Sequence, residues 1–210
     1  MQSSLFEFRH SDSPINLLPR DGSAQYLPEV LSDVHAANLM DQLQTSLAWE
    51  SDQLILFGKK ITTRRKVAWV GDSDCSYTYS GVKKNPQAWT PELLSIKQEM
   101  EELAQSEFNS CLLNLYHDGD DGMGWHSDDE KELDPQAPIA SLSLGAGRKF
   151  AFRHKKNKEM ISLFLENGSA LIMHAPTQEF WHHALLKTKT TSEARINLTF
   201  RKIIPRDKSN

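Results

Sequence analysis

Cysteine is scarce in this 210-residue chain: Cys75 and Cys111 are the two present, with neither CxxC spacing nor a dense framework. That excludes a disulfide-stapled scaffold and suits a reducing compartment. Long apolar runs are missing as well. No stretch approaches the roughly 18 residues that a bilayer-crossing helix needs. With a mean hydropathy of −0.53 the chain reads as an ordinary globular protein, and no membrane partner is expected. The opening residues, Met1 to Arg9, show no basic segment followed by an apolar one. A secretory leader is therefore not expected, and a cytoplasmic location is. Nor is there a surplus of positive charge: 24 Lys and Arg stand against 28 Asp and Glu, for a net charge of −4. Binding a polyanion through bulk field is thereby disfavoured, and only local patches can serve.

Such patches are present. Lys59-Lys60, Arg64-Arg65-Lys66, Lys83-Lys84, Arg148-Lys149 and Arg153-His154-Lys155-Lys156 are basic, while Asp118, Asp120-Asp121 and Asp128-Asp129-Glu130 concentrate negative charge between them. For any one cluster the plain reading is a solvated loop tip or strand edge.

The length suits one substantial core and a monomer. Residues 1–25 are polar, punctuated by Pro14, Pro19 and Gly22, and read as an extended arm outside the core. A single domain is expected over 26–205, with helices and loops in 26–110 and a β core in 111–205. Val30, Leu31, Val34, Leu39, Leu43 and Leu47 fall mostly at helical spacing and predict a helix within Pro28–Trp49, with Ser32 and Asp33 as candidate early caps. A second helix should start at Thr90-Pro91-Glu92, where Thr can cap and Pro suits the first helical position, and end before Phe108. Leu54 to Gly81 reads as strands and loops laid against the β core.

From Cys111 onward short β-like runs follow one another: 111–116, 139–144, 149–153, 161–165, 170–173, 181–185 and 196–200. Gly145-Ala-Gly147 and Glu166-Asn167-Gly168 separate some of them, the latter suited to a tight turn. The class is mostly β with flanking helices (α+β), and the core is a sandwich or a jelly roll.

His126-Ser127-Asp128 can offer an imidazole and a carboxylate to one metal, because residues two apart on an extended segment project to the same side. Alone the pair means little: 8 His and 14 Asp among 210 residues yield roughly 0.5 such pairs by chance. His10-Ser11-Asp12 is a second copy, in a segment without strand pattern, and is set aside. A third ligand can come from Trp181-His182-His183-Ala184, where alternation lets one histidine point inward. Two imidazoles and one carboxylate with open positions suit non-heme iron(II) and oxygen activation, though zinc accepts the same ligands.

Arg195-Ile-Asn197-Leu-Thr199-Phe-Arg201 alternates, so Arg195, Asn197, Thr199 and Arg201 share a strand face. Inward arginines are costly unless they meet an anion. The distal carboxylate of 2-oxoglutarate is such an anion, and its 2-oxo acid end chelates iron; Asn114 and Tyr116, again two apart, can add hydrogen bonds.

From about Leu56 to Ile203 the chain resembles the AlkB family of iron(II)/2-oxoglutarate dioxygenases. The resemblance is carried, in the family's order, by Asn114-Leu-Tyr116-His-Asp-Gly119, His126-Ser-Asp128-Asp-Glu130, Pro138-Ile-Ala-Ser141, Phe152-Arg-His154, Trp181-His-His183 and Arg195-Ile-Asn-Leu-Thr-Phe-Arg201. It implies a double-stranded β-helix core, iron(II) on His126, Asp128 and His183, and 2-oxoglutarate held by Asn114, Tyr116, Arg195, Thr199 and Arg201. His182 stands where relatives carry an aromatic residue. Leu56-Phe57-Gly58-Lys59 and Tyr77-Thr78-Tyr79-Ser80-Gly81 are most similar to members acting on alkylated DNA, duplex included.

The implied substrate is a base such as 1-methyladenine or 3-methylcytosine. With iron(II), 2-oxoglutarate and O2 as cofactors, its methyl group is hydroxylated and leaves as formaldehyde, with succinate as coproduct. A base inside the stack is out of reach and must be flipped out. Phe57 then reads as the wedge, Tyr77 and Tyr79 as lining of the base pocket, and Asp129 as acceptor for the exocyclic amine, with Glu130 adding negative charge against a cationic lesion. The partner is alkylated DNA, single-stranded and duplex, at the nucleoid or in a nucleus. The alternatives are a family member acting on RNA, protein or a small molecule, and a cupin-like metal-binding module without activity; the two arginines speak against the second.

Overall fold

The computed structural model describes residues 15–56, 59–75, 77–79 and 82–204, with the backbone alone described at 52–56, 59–61, 77–79 and 82–84. Phe57 and Gly58, expected at a wedge, lie outside the described residues, as does His10-Ser11-Asp12. The elements are β1 (Ser23–Leu27), α1 (Asp33–Ser46), β2 (Glu50–Leu56), β3 (Lys59–Gly71), β4 (Tyr77–Tyr79), β5 (Val82–Lys84), α2 (Pro91–Ala104), β6 (Ser110–Tyr116), β7 (Met123–His126), β8 (Ile139–Gly145), β9 (Arg148–His154), β10 (Met160–Leu165), β11 (Ala170–His174), α3 (Thr177–Phe180), β12 (Trp181–Leu185) and β13 (Arg195–Arg201).

A seven-stranded sheet in the order β1-β11-β8-β13-β6-β3-β2 and a four-stranded sheet in the order β10-β9-β12-β7 form the core, with antiparallel pairing throughout. Their composition alternates as a two-faced packing requires. Leu171 and Met173 of β11 join Tyr116, Phe150, Phe152 and Trp181 in the cluster between the sheets, while Ala170 and Ile172 join the cluster under the helices. The larger sheet is therefore covered on both faces. That accounts for the unbroken burial of β8, from Ile139 through Leu144.

Two helices cover the outer face of that sheet, burying Leu39 and Leu43 from α1 and Leu93, Ile96 and Met100 from α2 against Leu142, Leu144, Ile196 and Leu198. α2 starts as expected: the Thr90 hydroxyl accepts the Leu93 N–H at 3.3 Å and Pro91 opens the helix. α1 starts at the expected caps, so Val30 and Leu31, part of the apolar pattern, precede it. Ser32 caps it, and Val30 and Leu31 instead donate their N–H groups to the carbonyl of Gly168. Gly168 has φ +72°, and a Cβ there would stand 2.3 Å from the Leu31 oxygen, so this crossing needs glycine. Val34, counted in the apolar stripe, is 73% exposed.

The expected arm needs correction over its described part. Leu18 and Ala24 are buried, and β1 is an edge strand of the large sheet, paired with β11 from Ser23↔His174 to Leu27↔Ala170. Its partner lies far along the chain, so no local pattern marked it. β2 and β3 likewise extend that sheet through β6 rather than lying against a closed core.

Candidate metal and cosubstrate site

β7 and β12 lie side by side at the edge of the smaller sheet, with His183 directly opposite His126. The two imidazoles meet edge to face, 4.2 Å between ring centroids. Asp128 follows β7 by two residues, and its Oδ2 stands 3.8 Å from His183 Nε2. One ligand atom from each of His126, Asp128 and His183 lies within 4.8 Å of the others, the span of a single metal ion's ligand set. Alternation turns His182 to the opposite face, where it sits across from Arg153.

The electrostatics prepare these groups for a cation. His126 Nδ1 is 2.8 Å from the carbonyl of Gly124. A carbonyl only accepts, so Nδ1 is the donor and Nε2 is the nitrogen left to meet a metal. Burial holds His183 well down, to about 4, with Asp128 opposing and His126 and Arg201 adding to the effect. Burial pushes Asp128 upward, but Arg201, His183 and His126 together outweigh it and leave the carboxyl below its ordinary value. Both groups are thus in their metal-binding forms at neutral pH. Arg201 supplies the closest partner, Nη2 to Asp128 Oδ1 at 2.5 Å, while Asp128 N–H donates to Gln178 Oε1 at 3.0 Å.

β13 places Arg195, Asn197, Thr199 and Arg201 on one face, between β6 and β8. Arg201 lies at the metal end, on Asp128. Arg195 lies deeper, fully buried, across from Tyr116; its Nη2 donates to Ser143 Oγ at 2.6 Å and its Nη1 to the carbonyls of Ala146 and Leu165 at 3.4 Å. Burial lowers its guanidinium to about 10, still charged at neutral pH. Asn197 is already engaged, accepting from Ser141 Oγ at 2.9 Å and donating to Thr199 Oγ1 at 2.8 Å.

A cavity lined by Asn114, Tyr116, Thr199 and Arg201 opens onto His126, Asp128 and His183. Among the described residues, Asn114 Oδ1, Arg195 Nε and Arg201 Nε are buried with no hydrogen-bond partner. The two guanidinium donors call for an anion with acceptor oxygens, while Asn114 Oδ1, an acceptor, calls for a donor. Arg201 lines this cavity and Arg195 does not, and a carboxylate chelating a metal beside Arg201 fits the lining.

Asp129 and Glu130 point into a groove of about 510 Å³ that adjoins the site at Asp128 and Arg201 and is walled by Asp134–Pro138 and His174–Pro176. Asp129 Oδ2 is 3.7 Å from Lys155 Nζ, and Glu130 Oε1 is 3.7 Å from Arg201 Nη1. Tyr77, Thr78 and Tyr79 form β4, paired with β5, and Lys59 opens β3.

Arg148 and Arg65 were read as parts of surface patches and are not. Arg148 is 1% exposed, and its guanidinium donates to the carbonyls of Asp118, Gly119, Asp121 and Leu186. It holds residues 117–122 against β12. Arg65 is buried and hydrogen-bonds the Tyr116 side chain. The missed signal was alternation: Arg148 shares a face with Phe150 and Phe152, both in the core.

A model of the 2OG-Fe(II) oxygenase superfamily matches residues 23–201. The chain belongs to that superfamily. Its cofactors are accordingly iron(II), 2-oxoglutarate and O2. DNA oxidative demethylase ALKBH2 from Mus musculus is 43% identical over 161 residues, covering 73% of this chain and 67% of the relative. The Homo sapiens protein of that name is 42% identical over 157 residues, 71% of this chain and 60% of the relative. Alpha-ketoglutarate-dependent dioxygenase alkB homolog 3 from Bos taurus is 37% identical over 180 residues, 81% and 62%. The chain thus spans about three fifths to two thirds of these relatives. The solved structure of OsALKBH1 superposes with a TM-score of 0.63 at 17% identity, over 88% of this chain and 98% of that one, a likeness of fold.

Proposed function

We propose that this protein removes methyl groups oxidatively from alkylated DNA bases, with His126, Asp128 and His183 as the iron(II) ligands. One observation carries the reading: those three side chains converge beside the arginine face of β13, at the edge of a groove that presents Asp129 and Glu130. Relatives named DNA oxidative demethylases support the DNA substrate.

Iron(II), 2-oxoglutarate and O2, once bound, supply the oxidising power that hydroxylates the methyl group, with succinate, carbon dioxide and formaldehyde as products. The chain's residues do the rest. Arg195 anchors the distal carboxylate in a water-poor pocket, while Asn114, Tyr116 and Thr199 fix the cosubstrate's tilt. Arg201 keeps Asp128 ionised. Asp129 and Glu130 attract a cationic methylated base and accept its exocyclic amine. Phe57, in the sequence Leu56-Phe57-Gly58-Lys59, fills the stack vacated by a flipped base, and Tyr77 and Tyr79 line the base pocket. The protein works as a monomer, on single strands and duplex, where the cell keeps its DNA.

The deciding assay is succinate and formaldehyde release with methylated single-stranded DNA, duplex DNA and RNA in parallel. Turnover on both DNA forms above RNA is expected; turnover on RNA alone would sink the substrate assignment.

A further inference from the structure

Asp128 lies outside any sheet ladder. β7 stops at His126, and residues 127–130 have no regular structure, so side chains must hold the peptide that carries the carboxylate. Two bonds do so: Ser127 Oγ donates to the carbonyl of Trp181 at 3.1 Å, and Asp128 N–H donates to Gln178 Oε1 at 3.0 Å. The Gln178 amide can meet an N–H donor only through its oxygen, which turns Nε2 toward Met173 Sδ, 3.4 Å away. Gln178 is itself held, since its carbonyl accepts from Lys155 Nζ at 2.8 Å.

α3, which carries Gln178, runs directly into β12, which carries His183. A single stretch of chain therefore provides one imidazole of the triad and grips the backbone of its carboxylate. The carboxylate itself is shared: Arg201 sits 2.5 Å from Oδ1, while Oδ2 is the oxygen turned to His183, 3.8 Å away.

We propose that Gln178 is a positioning residue for the metal site. Its amide oxygen pins the Asp128 peptide, so that Oδ2 stays turned toward His183 while Oδ1 stays on Arg201. Without the acceptor, the Asp128 N–H loses its partner and the peptide is free to rotate, and a metal must then order that peptide to reach Oδ2. Affinity for metal falls; the fold, held by two sheets and two covering helices, does not. This inference rests on the reading of Asp128 as a metal ligand.

The test compares Gln178→Leu, which lacks an acceptor, with Gln178→Glu, which keeps an oxygen toward the Asp128 N–H. Metal-free protein is titrated with Mn(II), free Mn(II) is followed by electron paramagnetic resonance, and melting is recorded without metal. Gln178→Leu should weaken Mn(II) binding at least about tenfold, in the range seen when a group supporting a ligand is removed, with the metal-free melting temperature moved by less than about 2 °C. Gln178→Glu should stay within about threefold of wild type. Unchanged affinity in Gln178→Leu, equal losses in both variants, or a loss accompanied by a large drop in melting temperature overturns the proposal. His183→Ala in the same titration tests the site itself: retained Mn(II) binding there rejects the metal assignment, whatever Gln178 does.

Discussion

Arg201 and Asp128 form a buried ion pair, Nη2 to Oδ1 at 2.5 Å, beside the two imidazoles that complete the candidate metal site. The pair does two things. It compensates a carboxylate with 4% of its side chain exposed, and it fixes the charge that a divalent metal then meets. Removing one partner leaves the other charged and uncompensated, which typically costs about 3–5 kcal/mol. Arg201→Met should therefore destabilise the metal-free protein by that order in urea unfolding. An effect within experimental error would show that the pair is not held in solution.

Acidification should act through His183. Its folded value, about 4, lies below the ordinary 6.5, so the unfolded chain binds more protons between those limits. Stability from this group is complete above pH 6.5 and is lost as pH falls toward 4, by on the order of 3 kcal/mol. Asp128, with its carboxyl held low, adds a loss only at still lower pH. Urea midpoints of metal-free wild type and His183→Gln between pH 7 and 4 should diverge, the variant showing the flatter profile. Parallel profiles would contradict the burial-driven shift.

Arg195 is expected to dominate cosubstrate affinity. Arg195→Met removes the only fully buried cation on the cofactor-facing side of β13 among the described residues. It should raise the 2-oxoglutarate Kd at least about a hundredfold, roughly 2.7 kcal/mol, by calorimetry with Mn(II) present. Asn197→Ala, at a side chain already satisfied by Ser141 and Thr199, should change it far less. Equal losses would reject the ranking.

Arg148 offers a purely structural contrast. In Arg148→Met its four carbonyl partners, at 2.7 to 3.3 Å, lose the guanidinium, and of them Asp118 and Gly119 keep the N–H groups of Asp121 and Thr188. A loss of at least about 3 kcal/mol is expected, which in a chain of this size lowers the melting temperature by roughly 6 °C or more. Metal affinity per folded molecule should persist; a variant as stable as wild type would remove the clasp from the account.

Phe57 separates substrates. If it fills a vacated stack, Phe57→Ala should lower activity on methylated duplex at least about tenfold more than on single strands, about 1.4 kcal/mol in barrier, with little change in melting temperature. Equal losses on both substrates, together with lower stability, would make it a core residue.

Much of this site could be read from sequence because two-residue periodicity survives in strands. Arg195, Asn197, Thr199 and Arg201 share a side because the pleat alternates, whereas Asp128, beyond the end of β7, is brought beside His126 by the bonds of Ser127 and Gln178. α2 was equally legible, since Thr90 and Pro91 act on their own helix. What stayed hidden depends on distant partners. β1 is defined by β11, Gln178 by Asp128, and Arg148 by carbonyls of two separate loops. Arg148 beside Lys149 looks like any basic pair, and although alternation with Phe150 and Phe152 marks which of the two is buried, its partners come from neighbouring stretches of the chain.

The ladder between β2 and β3 breaks at a single place: Ser51 pairs with Lys66 and Gln53 with Thr62, so Thr63, Arg64 and Arg65 face Asp52 alone. β6 supports β3 only from Lys66 onward. The four residue pairs from Gln53↔Thr62 to Leu56↔Lys59 thus form a boom about 13 Å long, mounted on a swivel. Arg64 ties that swivel to Asp118 on one side and Arg65 to Tyr116 on the other. Removing one residue from each strand would shorten the pair by about 3.3 Å. Its direction is thereby set where Asp118 and Tyr116 hold its base, and its reach by strand length alone.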